Sequence, residues 1–337
     1  MDSKVALVVT SIAQPNIALK KLSQCVQDRN WSFIIIGDVA SPADFYLEGC
    51  DFYNLSHQLA LNLKFAQSCP ERHYARKNIG YLLALQNNAE IIIETDDDNI
   101  PYQNFENPRQ RQQTAPVISE SHWINVYRYF TEANIWPRGL PLDTINKPLP
   151  DTWENLEIAL VDCPIQQGLA DRNPDVDAIY RLTLPLPQDF RRDRRLALSR
   201  NSWCPFNSQN TTWWRDTFPL LYLPAYCSFR MTDIWRSFVA QRIAWENNWH
   251  ILFHEPTVWQ ERNEHNLMHD FEQEVVGYLH NYRLCEALQE LNLQSGQDKL
   301  ADNMRICYEK LVSLSILDRK ELELLNIWLE DINFLTK

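Results

Sequence analysis

Glycine is scarce, with 7 in 337 residues, and no two glycines are two, four or five positions apart. That spacing excludes G-x-G-x-x-G, G-x-x-x-x-G-K-[ST] and G-x-S-x-G. The dinucleotide fingerprint, the P-loop, the kinase glycine loop and the nucleophile elbow are therefore absent. A nucleotide bound here must be held another way. Net positive charge is also lacking, since the formal charge is −12. Nonspecific nucleic-acid binding needs a basic face, so no nucleic-acid partner is expected. The densest basic run, Arg191-Arg192-Asp193-Arg194-Arg195, reads as a solvated loop or a phosphate patch.

Long apolar runs are missing as well. No stretch approaches the roughly 18 residues of a membrane span, and Val5–Val9 is too short for a signal core. The eight cysteines are scattered without a C-x-x-C pair. This is not a disulfide framework, and reduced thiols in a cytoplasmic protein are expected.

What is present reads as an α/β domain. Val5–Thr10, Trp31–Ile36 and Ala89–Thr95 are buried strands, with helical spacing in Ile17, Leu19, Leu22 and Val26. Ser68-Cys-Pro-Glu71 reads as a capping box opening a helix through Arg76–Leu83. Residues 101–150 hold seven of the eighteen prolines, which predicts long loops around strands near Val117 and Ile124–Tyr127. Asp175–Leu182 reads as a short strand with its entry loop, and Asp233–Asn247 as a helix. Beyond Pro256 there is no proline. There Phe271, Val275, Leu279, Tyr282 and Cys285 repeat at helical spacing, as do Leu322, Leu325, Leu329 and Ile332. Asp318-Arg-Lys-Glu321 is a second capping-box signature. The spacing predicts a tail of three helices. The expected division is 1–268 for the α/β domain and 269–337 for a helical extension, which could pair two copies of the chain.

The first chemical constellation is Glu94-Thr95-Asp96-Asp97-Asp98-Asn99, placed directly after an apolar strand. In an extended segment Asp96 and Asp98 face one way and Asp97 the other. Two same-side carboxylates suit Mg²⁺ or Mn²⁺, and such a cation can stabilise a diphosphate leaving group. A solvated acidic loop fits the residues equally well. The second constellation is Arg76-Lys77-Asn78, either a phosphate and ribose contact or a helix-surface charge pair. Histidines recur four apart at His250/His254 and His265/His269, without the glutamate of a zinc-protease helix. His265 is a candidate extra ligand to a metal held by Asp98, or a surface histidine. Seven aromatics between Trp203 and Tyr226 fit sugar stacking or an ordinary core.

Several ordered segments carry a resemblance. Arg76-Lys-Asn-Ile-Gly-Tyr-Leu-Leu-Ala-Leu-Gln86, Thr95-Asp-Asp-Asp-Asn99, Asn125-Val-Tyr and Trp136-Pro-Arg-Gly-Leu-Pro141 come first. Gln167-Gly-Leu, Asp175–Leu182, Pro205-Phe-Asn-Ser-Gln-Asn210, Trp235–Glu246 and Pro256-Thr-Val258 follow. Together they resemble the STELLO-type probable glycosyltransferases, over residues 4–265. More distantly the chain is similar to reversibly glycosylated polypeptides, the UDP-arabinopyranose mutases. Both resemblances imply a GT-A-like nucleotide-sugar fold with a mostly parallel sheet and a D-x-D segment holding Mn²⁺ or Mg²⁺.

The implied activity is sugar transfer from a nucleotide sugar, UDP-linked by preference, to a glycan, lipid or protein acceptor. The alternatives are a mutase or self-glycosylating protein, and a non-catalytic scaffold. The resemblance implies base and ribose contacts at Thr10 and Asp38, and phosphate or ribose contacts at Arg76 and Asn78. It implies metal or ribose binding by Asp96 and Asp98, Asp97 beside the donor sugar, Arg138 at the sugar, and Asp233 for acceptor activation or sugar orientation. The family places histidine after Pro-Thr-Val, where this chain has Trp259. STELLO-type plant proteins also carry a membrane anchor, which is not expected here.

Overall fold

The computed structural model describes residues 4–261 and 266–336. Its first half is built on β1 (Val5–Thr10), α1 (Ile17–Arg29), β2 (Ser32–Ile36) and β3 (Asp51–Tyr53). Two short helices follow, α2 (Leu55–Leu59) and α3 (Lys64–Ser68), then α4 (Lys77–Gln86) and β4 (Ile91–Thr95). Next come β5 (Asn99–Pro101), β6 (Gln112–Ile118), β7 (His122–Trp123), β8 (Glu157–Asp162) and β9 (Ile165–Asp171). The remaining elements are α5 (Ala178–Thr183), β10 (Arg195–Leu198), β11 (Ser202–Trp203), β12 (Asn210–Trp214), α6 (Thr232–Glu246) and β13 (Ile251–Gln260). The tail is α7 (Leu267–Gln289), α8 (Leu300–Ser313) and α9 (Lys320–Thr336).

An 11-stranded sheet runs β3-β2-β1-β4-β12-β9-β13-β10-β6-β8, with β5 added to β13. It is parallel from β3 to β4 and mixed beyond, with β12 antiparallel to both β4 and β9. The expected α/β class with a helical tail is what the molecule adopts. Alternation explains the two-faced core. Ala6 and Val8 join the main apolar cluster under α4 and α6, while Val5, Leu7 and Val9 join a second cluster under α1. Gly80 lets α4 lie directly on the sheet, because a Cβ there would sit 2.5 Å from Val8.

Four local expectations differ from the structure. Ser68 opens no helix; it ends α3, and its hydroxyl donates back to the Lys64 carbonyl at 2.9 Å. The next helix starts after a 3-10 turn at Tyr74–Arg76, capped by His73 Nδ1, which accepts from the Ala75 N–H. Around Ile124–Tyr127 the extended segment is only His122–Trp123, and Val126–Tyr129 is a 3-10 turn. The Asn125 amide donates to the Ile135 carbonyl there, folding the loop back on itself. Asp175–Leu182 contains helix α5, because the Asp177 carboxylate accepts from the Tyr180 N–H at 2.8 Å and caps it.

The fourth difference concerns the tail. Its three helices are present, but α7 does not bury the face its apolar spacing suggests. Leu279 is 68% exposed, whereas Asp270, Glu274, Gly277 and Asn281 are buried. Asn281 accepts from Trp235 Nε1 at 2.9 Å and donates to the Gly139 carbonyl at 2.8 Å. These bonds satisfy the buried amide, so a polar face can be the inner one. In α9, Asp318 accepts from the Lys320 N–H, but Glu321 does not complete the box. Its carboxylate accepts from Tyr222 and from the Ala225 and Tyr226 N–H groups. Among the described residues no helix is long and apolar enough to cross a membrane.

Candidate functional site

A cavity of about 570 Å³ opens at the carboxyl ends of β1, β2 and β4, the position where open α/β sheets bind ligands. Thr10, Asp38, Arg76, Asp96, Asp97, Asp98, Arg138 and Asp233 all line it. Residues as far apart in the chain as Thr10 and Asp233 are thus brought to one place by the sheet. Asn78 lies outside the cavity. It is fully buried, donating to and accepting from the backbone of Leu223 at 2.9 Å each way. His265 falls outside the described residues.

The three aspartates do different things. Asp96 Oδ1 accepts from Tyr74 at 3.0 Å and lies 3.3 Å from the buried Lys77 ammonium. Asp97 accepts from the Ser11 hydroxyl at 2.6 Å, and its carbonyl accepts from Asn16, the cap of α1. This ties Asp97 to the end of β1. Asp98 accepts from Gln260 on β13 at 2.9 Å. Burial, followed by the charge of Asp96, pushes the Asp98 carboxyl up to about 7.

Arg76 lines the cavity, but its guanidinium is turned inward. It donates to Gln58 Oε1 through Nε and Nη2, and to the Cys69 carbonyl through Nη1. The neighbouring cation, Lys77, approaches the acidic strand end instead, and also donates to the Thr95 carbonyl at 2.8 Å. On the rim, exposed Arg72 faces the same space.

Tyr74 continues the site toward α6. Its hydroxyl is 2.6 Å from Ser208 Oγ, and Ser208 donates to Asp233 Oδ2 at 3.2 Å through both its N–H and its hydroxyl. Asp233 in turn receives Arg138 Nη2 at 3.1 and 3.0 Å. Arg138 also grips Asp175 with Nε and Nη2, each at 2.8 Å, and gives Nη1 to the Arg230 carbonyl. Four of the five guanidinium N–H groups are thus committed. Burial alone would raise the Asp233 carboxyl, but Arg138 overcomes it and holds the group down at about 2. The Arg138 and Ser208 contacts fix the orientation of Asp233 in the cavity wall.

Gly139 makes this corner possible. Its φ is +91°, and a Cβ would come within 2.4 Å of Ile234. From behind, buried Glu274 on α7 accepts from Arg230 Nε at 2.9 Å and from the Ala178 N–H at 2.7 Å. The tail thus braces one wall of the cavity. Tyr74, Ser208, Asp175 and Gln260 were missed as candidates in the sequence. Ser208 and Asp175 lie inside quoted motifs, but nothing local marks them, because their partners are distant in the chain.

Among the described residues no group of three or more His, Cys, Asp or Glu side chains is arranged to hold a metal ion. At the end of β4 the cavity is lined by Asp96, Asp97 and Asp98.

The matches to known proteins converge on one family. Residues 230–336 match the family model for STELLO glycosyltransferases. The chain is related to the STELLO glycosyltransferases. It is 31% identical over 271 residues to Probable glycosyltransferase STELLO2 of Arabidopsis thaliana, which covers 75% of this chain and 35% of that protein. It is 30% identical over 270 residues to Probable glycosyltransferase STELLO1 of the same plant, covering 74% and 34%. The chain spans about a third of the length of these curated STELLO relatives. The STELLO family match takes in Asp233, α6 and the tail helices, the elements that build the Arg138 corner from behind.

Proposed function

We propose that the protein is a metal-dependent glycosyltransferase that uses a nucleotide sugar, with UDP as the preferred nucleotide. The observation that carries this reading is the meeting of the Asp96–Asp98 strand end with the ends of β1 and β2 in one cavity. The relation to STELLO glycosyltransferases supports the reaction class.

In this reading the nucleoside lies along Thr10, Ser11 and Ile36–Asp38. Asp38 stiffens that floor, since its carboxylate accepts from the His73 N–H at 3.0 Å. The donor set suits Mn²⁺ or Mg²⁺. Asp96 and Asp98 offer hard oxygen ligands, and the burial and mutual repulsion that lift Asp98 are what a cation offsets. Mg²⁺ commonly takes one or two carboxylates and completes its shell with water and substrate phosphate. When bound, such an ion supplies Lewis-acid stabilisation of a diphosphate.

Arg72, on the exposed rim, is the cation placed to meet the phosphates in this reading. Arg76 and Asn78 shape the wall behind them. Asp233, Asp175 and Ser208 face the donor sugar and accept from or donate to its hydroxyls. Arg138 fixes their positions, and no sugar need be attached to it. The acceptor is a glycan, lipid or protein hydroxyl.

The test is a thermal-shift screen of UDP-, GDP- and dTDP-sugars with and without Mn²⁺. A ligand at 100 times its Kd adds about 2.7 kcal/mol of stability. A Mn²⁺-dependent rise with one nucleotide class supports the reading. No rise with any of them counts against it.

A further inference from the structure

A second cleft, of about 240 Å³, lies elsewhere on the molecule and shares no lining residue with the nucleotide-sugar cavity. Arg195 on β10 and His254 on β13 are register partners on adjacent antiparallel strands. Their side chains therefore leave the same face of the sheet. Arg109 approaches from the loop before β6, with Nε 3.4 Å from Thr212 Oγ1 and Nη1 2.6 Å from the Asn107 carbonyl. Arg195 donates to Gln113 Oε1 at 2.7 Å.

Among the described residues neither half-buried Arg109 nor exposed Arg195 is in an ion pair with a carboxylate, in contrast to several other arginines of the fold. Arg111, Arg138, Arg230, Arg236 and Arg242 all have one. Glu255 is the single acid in the lining, against two guanidinium groups. The local field is positive. Burial first, and then Arg109 and Arg195, push the His254 imidazole down to about 3, so it is neutral. Half-buried Arg109 is partly withdrawn from water without a carboxylate partner, and an anion between it and exposed Arg195 would offset that cost.

We propose that this cleft is an oxyanion site that binds a phosphate or sulfate group through Arg109 and Arg195. Guanidinium forks match tetrahedral oxyanions by paired N–H donors. Neutral His254 spends its Nδ1–H on the Glu255 carbonyl at 2.9 Å, which leaves Nε2 to accept from a protonated phosphate. The ligand is either the free ion or an ester carried on a sugar or other acceptor. The cleft volume admits both.

Phosphorus NMR titration with inorganic phosphate, and in parallel with methyl phosphate, tests this on the intact chain. The parent should bind at least one of the two, and the tighter one assigns the source as free or esterified. Arg195→Gln, at an exposed position that leaves the core untouched, should weaken binding by at least about tenfold, and Arg109→Gln likewise. Arg72→Gln reports on the other cavity, and loss of affinity in that variant alone would place the bound phosphate there. No binding of either probe by the parent overturns the proposal. Unchanged affinity in folded Arg195→Gln and Arg109→Gln, or loss only in Arg72→Gln, overturns it too.

Discussion

Arg138 and Asp233 hold each other in the wall of the cavity, Nη2 lying 3.1 and 3.0 Å from the two carboxylate oxygens. Asp175 shares the same guanidinium. The pair joins a proline-rich loop to the first turn of α6, 95 residues away in the chain. Both residues are at most 7% exposed, so each charge depends on the other for its solvation. Removing one partner of such a buried pair costs roughly 3–5 kcal/mol.

Arg138→Met should therefore lower unfolding stability by about that amount, measured by urea denaturation. Arg138→Lys keeps a charge but loses the planar fork. It should fold, melt lower than the parent, and use the nucleotide sugar poorly. Full stability and full donor use in Arg138→Lys would remove the clamp from the account.

Asp98→Asn should weaken Mn²⁺-dependent nucleotide-sugar binding by at least about tenfold, equal to about 1.4 kcal/mol. Binding without added metal should change little. Calorimetric titration with and without Mn²⁺ checks both statements. Equal metal dependence in parent and variant would take Asp98 out of the ion's shell.

Asn78→Ala should act on folding and not on the ligand. It leaves the Leu223 N–H and carbonyl unpaired in the core, at a cost of about 1–3 kcal/mol. The folded fraction should bind nucleotide sugar as the parent does. A fall in affinity at unchanged melting temperature would return Asn78 to the site.

Glu321 gives a pH dependence of known sign. Burial pushes its carboxyl up to about 7 from an ordinary 4.5, against the donors Tyr222, Tyr226 and Ala225. The folded state holds this proton more tightly than the unfolded chain. Its contribution is complete below pH 4.5 and is lost as pH rises through 7. Each unit is about 1.4 kcal/mol, so the loss is on the order of 3 kcal/mol. Glu321→Gln can keep the backbone bonds while Tyr222 turns to accept, and it should flatten stability across that range. An unchanged slope in Glu321→Gln, read from denaturation at successive pH values, would contradict this.

The strands were legible because their apolar runs are continuous, and the acidic strand end stood out because Asp96, Asp97 and Asp98 are adjacent. Adjacency also misled. Arg76, Lys77 and Asn78 look alike as polar residues before a strand, yet a helix turn points one at Gln58, one at Asp96 and one at Leu223. Sequence cannot assign those directions without knowing where the 3-10 turn ends. The polar inner face of α7 was hidden for a related reason. Glu274 and Asn281 are buried only because Arg230, Trp235 and Gly139 meet them from other segments. Apolar periodicity carries no record of such long-range partners.

The most direct test of the proposed nucleotide-sugar site is calorimetric titration of UDP and a UDP-sugar into the intact chain, once with Mn²⁺ and once with a chelator. The account expects binding with Mn²⁺ that weakens by at least about tenfold under chelation, and that Asp96→Asn with Asp98→Asn abolishes the difference. Absence of binding under both conditions would contradict it, as would binding indifferent to metal and to both aspartates.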